Sequence, residues 1–577
     1  MRNLATALAA FAFLAACAPA APGGGERPTA ADRPTNVAPS VPTGTLRLAW
    51  AGEPPTLSPK LTAPGGSAFN ELAVTFNSAL TYSDQAGNPV PQIAREIPSI
   101  ENGGWVINPD GTMVTTYKLR ENARWHDGAP LTARDFAFAY RVYINPEVPA
   151  YRRHPETYMS SVEAADDQTL VINWRSPFYR ANGLRYLQLD PLPSHLLEEM
   201  YTNDLPGFLN GAHWTTGYVG SGPFRVERWE PGVAIFARAH IDWVLGPPRA
   251  ATLEIRFIPD ANTILANLLA GDLDISAHPW FPPSLAAQMR DRWEGGKMGY
   301  TSVTESRMQH LDIRQNEVPD WQPALTDVRI RQALLSAIDR ESLVELLNFG
   351  LGGSVADAFI LRNDPIFPEV DRVVAKYPYD PARAARLFTD AGWRRATADA
   401  PLTNAAGQTL SVEVSATAGP AGEQETQLIS LNWKAAGVDA STYLVPRALA
   451  GNAESDAMFP GGRTSNRPIT PDNFSWTSAQ IPTAQNRWLG QNRGAFSDSE
   501  VDRWNDAVLT ATSPRAWIDA NVNLHRRMSE RLGTLPLFYP ADVIVARHPI
   551  TGPVGHFTYP CYSWNIWEWG FSEAPPA

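Results

Sequence analysis

Side chains that could support catalysis are sparse in this sequence. Trp125-His126-Asp127-Gly128 sets a histidine beside an aspartate, but adjacent residues in a turn rarely face a common substrate, so turn chemistry is the favoured interpretation. The 10 histidines include no i, i+4 pair suited to a metal. Phosphate-binding Gly-Lys-Ser/Thr loops, Gly-x-Ser-x-Gly elbows and His-Glu-x-x-His helices do not occur. We therefore predict no catalytic residues, no metal and no cofactor, with an exported hydrolase as a distant alternative.

The 2 cysteines have different sequence contexts. Cys17 follows Leu14-Ala15-Ala16 at the end of a short apolar stretch with a basic start, which is typical of a secretory signal and too short for a membrane span. Leu-Ala-Ala-Cys resembles a bacterial lipobox, which implies cleavage before Cys17 and its acylation; an ordinary signal peptide is the alternative. For Cys561, a buried and inert thiol is favoured over a nucleophile.

Composition limits the remaining classes of function. The chain has 577 residues, so we expect more than one packed unit, and its net charge of −12 without basic blocks argues against binding of nucleic acid. We expect residues 1–16 to be a signal peptide and 17–42, rich in Ala, Pro and Gly, to be a flexible tether.

The body of the chain alternates strand and helix patterns, which indicates an α/β class. The predicted elements are strands at 45–50, 113–119, 222–229 and 251–258, helices that begin after Thr132 and Asp260, an amphipathic helical region at 327–349 and a helix at 380–391.

Five segments, in this order along the chain, resemble motifs of the family 5 solute-binding proteins of peptide- and nickel-type ABC importers. They are residues 117–136 (YKLRENARWHDGAPLTARDF), 220–224 (GSGPF), 269–275 (LAGDLDI), 327–340 (DVRIRQALLSAIDR) and 379–393 (YDPARAARLFTDAGW). The resemblance covers about residues 44 to 550. We expect the motif charges themselves to be structural, as helix caps and ion pairs.

The resemblance implies an α/β, two-lobed fold of the periplasmic-binding-protein type II kind, with a hinge between the lobes and an inserted subdomain. Lobe I is expected to combine residues 43–85, 218–305 and 531–577, the inserted subdomain 86–217, and lobe II 306–530. The solute is expected in the cleft between the lobes.

The resemblance also suggests which residues bind the solute. Family position indicates His278 and Trp280 after the Gly-Asp-Leu-Asp motif, and Tyr539 more weakly. Counting back from the turn that contains Asp472 puts Arg467 near the position of an aspartate that binds peptide ammonium groups in relatives. A cation there suits a carboxylate or another anion; the alternatives are a gap in this register and an Arg that faces solvent. Trp280 and Trp476, near these segments, could stack on a ligand, although a core position is the default for each.

Taken together, these features predict a monomeric, lipid-anchored receptor on the extracytoplasmic face of the cell envelope, in the periplasm or at the cell surface. It would capture a peptide or related small solute and deliver it to the permease subunits of an ABC transporter, with no enzyme activity. The alternatives are a ligand-sensing envelope receptor of the same fold and import of an anionic or sugar-like solute.

Overall fold

Two large β-sheets organise the folded part of the chain. The structure, a computed structural model, describes residues 41–61, 69–85, 87–150, 154–276, 281–293, 296–469, 474–488, 490–556 and 561–572. The strands are β1 (Thr43–Trp50), β2 (Thr81–Ser83), β3 (Pro89–Pro91), β4 (Trp105–Ile107), β5 (Met113–Lys118), β6 (Met159–Asp166), β7 (Thr169–Trp174), β8 (Phe224–Glu230), β9 (Ala234–Ala239), β10 (Ala250–Phe257), β11 (Ile275–Ser276), β12 (Gly299–Thr304), β13 (Arg307–Ile313), β14 (Ser354–Val355), β15 (Ser411–Thr417), β16 (Asp439–Val445), β17 (Gly462–Pro468), β18 (Thr534–Tyr539), β19 (Asp542–Arg547), β20 (Ile550–Thr551) and β21 (Gly570–Phe571).

The helices surround these sheets. They are α1 (Phe69–Thr75), α2 (Ala133–Ile144), α3 (Ser194–Asn203), α4 (Leu205–Asn210), α5 (Ala261–Ala270), α6 (Pro283–Arg292), α7 (Val328–Ser336), α8 (Arg340–Asn348), α9 (Phe367–Asp371), α10 (Pro381–Asp390), α11 (Pro420–Ala436), α12 (Ala453–Ala457), α13 (Ser499–Leu509) and α14 (Pro514–Arg531). Among the described residues, no helix is both long enough and apolar enough to cross a membrane.

Each large sheet forms the centre of one lobe. The lobe I sheet has seven strands in the order β12-β19-β11-β1-β10-β9-β8, and the lobe II sheet has six in the order β14-β18-β13-β17-β15-β16. The chain passes from the first sheet to the second between β12 and β13, and returns between β18 and β19. These two crossing segments form the connection expected of a hinge, and the two-lobed α/β architecture is confirmed.

The return crossing refines one expected boundary. Because β18 pairs with β13 and β14, it belongs to the lobe II sheet, whereas the sequence-based division placed residues 531–541 in lobe I. Sheet pairing therefore puts the crossing at Pro540-Ala541, after β18 rather than before it.

The inserted segment has a sheet of its own. β4, β5, β7 and β6 form a four-stranded antiparallel sheet, and α2 packs on it. The start of α2 follows the sequence pattern, since the Asp135 carboxylate accepts the Thr132 backbone N–H at 2.8 Å.

The motif charges of the described residues hold the fold together, as the sequence indicated. Asp274 binds the Arg47 guanidinium at 2.7 Å, which ties β11 to β1. Arg340 is 3% exposed and donates to the Tyr377 carbonyl at 2.7 Å. The helical region predicted at 327–349 is two helices, because Asp339 caps a new helix by accepting the Ser342 N–H.

Candidate functional site

The strands of both lobes end at the junction between them. In lobe I, β1 is parallel to β10 and β11, and β19 is antiparallel to both β11 and β12, so the carboxyl ends of β1, β10, β11 and β12 share one edge. In lobe II, β15, β16 and β17 are parallel to one another and β17 is antiparallel to β13, so their carboxyl ends lie where β13 begins. Ligands of open α/β sheets bind outside such carboxyl edges. The topology therefore places the candidate site between the two edges that the crossings join.

A buried ion pair binds the two crossings to each other. Arg307 begins β13 and Asp542 begins β19; each is 5% exposed, and the Arg307 Nε lies 3.1 Å from the Asp542 Oδ1. Tyr562 donates its hydroxyl to the same Oδ1 at 3.2 Å. Burial alone would lower the pKa of Arg307, but the Asp542 carboxylate raises it above its ordinary value. The pair holds the crossings side by side.

A cavity of about 410 Å³ opens beside the first crossing. Its lining combines the end of β12 with lobe II residues and consists of Val303, Thr304, Glu305, Gly353, Arg362 and Asn363. Ser354 donates its hydroxyl to the Glu305 Oε1 at 2.7 Å, which links the crossing to β14. Burial raises the pKa of the Glu305 carboxyl, although Ser354 and the Arg362 charge act in the opposite direction.

Glycine is required at one position of this lining. Gly353 has φ = +89°, and a Cβ there would lie 2.9 Å from the Tyr539 carbonyl oxygen. A side chain would therefore push β14 away from β18 and open the wall of the cavity.

The structure brings two of the sequence-predicted residues together around an aspartate. The Arg467 Nη2 lies 3.1 Å from the Asp312 Oδ2, and the Trp476 Nε1 donates to the Asp312 Oδ1 at 3.2 Å. The Arg467 guanidinium lies 5.8 Å from the centre of the indole and also donates to the Gln491 carbonyl. Arg467 is 7% exposed and Trp476 2%. Burial lowers the pKa of Arg467 to about 10, and Asp312 opposes that shift.

Asp312 therefore neutralises the charge on which recognition of an anion was predicted. An anionic solute at Arg467 would have to compete with a carboxylate that is already in contact. A ligand-binding role for Arg467 and Trp476 stays a prediction.

Tyr539 ends β18 and is 1% exposed. Its hydroxyl lies 2.8 Å from the Ala358 carbonyl and 2.7 Å from the Ile360 carbonyl, both acceptors, so its contacts hold the segment that leads to the cavity. Burial raises the pKa of Tyr539 above its ordinary value. Contact with a solute stays a prediction for this residue as well.

The remaining predicted residues, Cys17, His278, Trp280 and Asp472, lie outside the described residues. The strand that leads to two of them is described, and it ends at the carboxyl edge of lobe I with Ser276. The Ser276 hydroxyl is buried and has no hydrogen-bond partner in the described parts of the chain.

Glu425, like Asp312, is a buried charged residue that the sequence patterns did not identify. It is 4% exposed on α11, and the Gln309 amide nitrogen donates to its two carboxylate oxygens at 2.8 and 2.9 Å. Burial raises the pKa of Glu425 to about 7, partly offset by the hydrogen bonds from Gln309 and Thr464. One acid on an amphipathic helix gives no sequence signal that it faces inward.

Comparison with known proteins decides the family. The sequence profile of the bacterial extracellular solute-binding proteins, family 5 (middle region), matches residues 88–484. The chain belongs to this family. As a family 5 solute-binding protein it works outside the cytoplasm, where it captures a solute and delivers it to an ABC transporter.

Individual relatives agree with this assignment. The chain is 25% identical over 542 residues to the oligopeptide-binding protein AppA of Bacillus subtilis (strain 168), covering 92% of each chain. The crystal structure of NikZ from Campylobacter jejuni in complex with Ni(L-His) has a TM-score of 0.73 at 22% identity, covering 92% of this chain and 100% of that one. The periplasmic EDTA-binding protein EppA has a TM-score of 0.77 at 16% identity, covering 93% and 98%. The two structures confirm the fold.

Proposed function

We propose that this family 5 protein captures a peptide or a related small solute between its lobes and is held at the membrane by an acylated Cys17. The observation that carries the solute site is the junction itself, where the carboxyl edges of two sheets, two crossing segments and a cavity meet. A solute that touches both edges binds the closed arrangement better than an open one, and so shifts the population towards closure.

Peptide is the first solute class to test. AppA, which is similar over nearly the whole chain, is described as an oligopeptide-binding protein. The proposed solute contacts stay the six residues that the sequence suggested, which are His278, Trp280, Arg467, Asp472, Trp476 and Tyr539. Support for an anionic solute is weaker than the sequence suggested, because Asp312 already binds Arg467.

The deciding experiment is mass spectrometry of the solute that co-purifies with the full chain. A thermal-shift screen of peptides, opines and oligosaccharides then measures which class raises the melting temperature, and product analysis of the same mixtures shows any turnover. Recovery of peptides that restabilise the solute-free protein supports the proposal. Recovery of a sugar would contradict it.

The lipid anchor needs a separate test. Metabolic labelling with an alkyne-bearing fatty acid should mark the wild type, and Cys17→Ser should abolish the label while the protein is still exported. Equal labelling of both proteins would contradict acylation at Cys17.

The sequence patterns left a ligand-sensing envelope receptor of the same fold open as an alternative, and gene context and solute uptake test it against import. Neighbouring permease and ATPase genes favour import, whereas a neighbouring histidine kinase gene favours sensing. Deletion of the gene should reduce uptake of the identified solute if the protein is an importer subunit.

A further inference from the structure

Glu425 is a buried carboxylate whose partners carry no charge. It is 4% exposed on α11, and the Gln309 Nε2 donates to its two oxygens at 2.8 and 2.9 Å. The Thr464 side chain also hydrogen-bonds to it. Among the described residues Glu425 forms no ion pair, and burial raises its pKa to about 7 with no charged side chain opposing the shift. The fold therefore leaves this acid without a cation.

Two other buried acids of lobe II have a cation of their own. The Asp312 Oδ2 lies 3.1 Å from the Arg467 Nη2, and the Asp456 Oδ1 lies 3.0 Å from the Arg463 Nη2. An ionised carboxylate without such a partner is costly in the interior. Glu425 is thus suited to a cation that comes from outside the chain, and a perturbed acid of this kind at a cleft is a typical functional group.

The residues around Glu425 lie at the edge of lobe II that faces the junction. Gln309 lies near the start of β13, two residues after Arg307, and pairs with Asn466 near the end of β17. The helix α11 follows β15, which is parallel to β17, so it begins at the same edge. Gln309 and Asn466 are partly exposed, and Glu425 is buried against Gln309. The cluster therefore leads from the junction to the carboxylate.

Asn466 supplies a second oxygen to the cluster. In the antiparallel pair of β13 and β17, Asn466 lies directly opposite Gln309, which places their Cβ atoms about 4.5–5.5 Å apart on one face of the sheet. The Asn466 Oδ1 is buried and has no hydrogen-bond partner in the described parts of the chain. A buried acceptor without a donor costs free energy, so this oxygen is available to a donor on a ligand.

Together these two groups select a cation that carries N–H donors. The Glu425 carboxylate and the Asn466 amide oxygen are both acceptors, and the carboxylate lacks a counter-charge. An ammonium or guanidinium group supplies several N–H donors and a positive charge. A carboxylate or an apolar group of a solute would leave both protein groups unsatisfied.

We propose that this cluster is a pocket for a basic side chain of the solute, with the ammonium or guanidinium group paired with Glu425 and donating to Asn466. The proposal rests on the proposed function and deepens it, because it names peptides that contain lysine or arginine as the preferred solutes. The pocket is separate from the Arg467 ion pair, since Asn466 and Arg467 are consecutive residues of β17 and lie on opposite faces of the sheet.

Such a pocket predicts opposite effects of one substitution. Glu425→Gln removes a buried charge that has no counter-charge, so the solute-free protein should become more stable above about pH 7. The same change should weaken the binding of a basic solute. An acid that only supports the fold would not lose affinity for one class of solute while the protein gains stability.

The test uses three pools of alanine tripeptides in which one position, varied along the peptide, is lysine, norleucine or glutamate. Norleucine has nearly the length of lysine without its charge. Titration of the solute-free full chain at about pH 8 should show at least about tenfold tighter binding of the lysine pool than of the norleucine pool, equivalent to about 1.4 kcal/mol. Glu425→Gln should remove this preference, and Asn466→Ala should reduce it.

Glu423→Gln is the matched control. It makes the same charge change on an exposed side chain of α11 and should keep the wild-type preference for lysine. Urea titrations and circular dichroism of the three variants establish that each is folded.

The outcomes separate this proposal from the proposed function. Equal binding of the lysine and norleucine pools, or a lysine preference that survives in Glu425→Gln, would overturn the basic pocket while binding of any pool leaves solute capture in place. Calcium chloride alone should not change the melting temperature. If it stabilises the wild type but not Glu425→Gln, the cluster holds a metal ion and the basic pocket is wrong.

If no pool binds, the co-purified solute decides. A basic solute that binds Glu425→Gln at least about tenfold more weakly than the wild type supports the pocket. A solute without a basic group, or one that binds both proteins equally, overturns it. If neither a co-purified solute nor any pool binds, the pocket and the proposed function fail together.

Discussion

The phenol ring of Tyr179 lies on the indole of Trp517, with ring centroids 4.9 Å apart and planes inclined by 12°. Tyr179 belongs to the inserted segment and Trp517 to α14 of lobe II. The Tyr179 N–H also donates to the Leu509 carbonyl at 3.0 Å. The lobes are therefore joined by this contact in addition to the crossings, and the contact must break if they separate on that side.

Removal of the stack should favour an open arrangement. Such a stack contributes about 0.5–1.5 kcal/mol beyond area burial, so Tyr179→Leu should weaken solute binding roughly two- to tenfold and increase the radius of gyration of the solute-free protein in X-ray scattering. Trp517→Leu should act in the same direction, and the double variant should lose less than the sum of the single losses. Tyr443→Leu, which alters an exposed ring of lobe II, is the control. Unchanged scattering and affinity in both single variants would show that the contact does not limit opening.

The ion pair between the crossings should contribute strongly to stability. Asp542→Asn leaves the buried Arg307 charge without its partner, so we expect the free energy of unfolding to fall by about 3–5 kcal/mol in urea titrations. Asp519→Asn removes the partner of Arg515 in an exposed pair on α14 and should cost less than about 1 kcal/mol. Similar losses in the two variants would contradict a special role for the crossing pair.

Glu425 should make the folded state less stable as the pH rises. Its pKa is about 7 in the folded protein and near 4.5 when unfolded, so the folded state holds the proton more tightly between these values. The wild type should therefore lose up to about 3 kcal/mol between pH 4.5 and 7, a loss that is complete above the folded pKa. Burial also raises the pKa of Asp190 to about 7, so Glu425→Gln should remove only the Glu425 part of this slope and should be the more stable protein at pH 8.

Urea titrations of both proteins at pH 5, 6, 7 and 8 measure this difference. Glu423→Gln alters an exposed acid on the same helix and should keep the wild-type slope. If Glu425→Gln and the wild type have parallel profiles, Glu425 does not titrate in this range.

The Cys561 thiol should react only when the protein unfolds. Cys561 is 2% exposed and donates to the buried Glu71 carboxylate at 2.7 Å. Burial and the Glu71 charge raise the pKa of the thiol well above its ordinary value, which removes the reactive thiolate. In the Cys17→Ser background, we compare labelling by iodoacetamide of native protein and of protein unfolded in about 8 M urea, both at about pH 8. The native protein should be labelled at least about a hundredfold more slowly. Rapid native labelling would contradict this.

The sequence determined the elements more fully than the contacts between them. The caps at Thr132 and Asp260 and the αL glycine at Gly271 are local signals, and the structure has helices at those places. The break at Asp339 follows from the same capping chemistry, but an apolar periodicity that continues across it concealed the end of α7.

The candidate site depended on contacts that sequence patterns do not contain. Asp312 lies 155 residues from Arg467, and no sequence pattern indicates the register between β13 and β17. Glu305 and Arg362 likewise line one cavity although they are far apart in the sequence, Glu305 in the first crossing and Arg362 in lobe II. Family position could suggest Arg467 as a contact, but whether its charge is free depends on that long-range pairing.

A double variant separates the two roles that remain open for Arg467. Arg467→Ala should abolish the solute-dependent change in tryptophan fluorescence if Arg467 contacts the solute, but it also leaves Asp312, which is 0% exposed, without its cation. We therefore expect the single variant to lose about 3–5 kcal/mol of stability, so its loss of binding alone decides nothing. Asp312→Asn combined with Arg467→Met removes both charges, keeps a long apolar side chain beside Trp476, and should recover most of that loss. If this stable protein still binds the co-purified solute with wild-type affinity, Arg467 supports the core of lobe II; if it is stable and fails to bind, Arg467 contacts the solute as family position predicts.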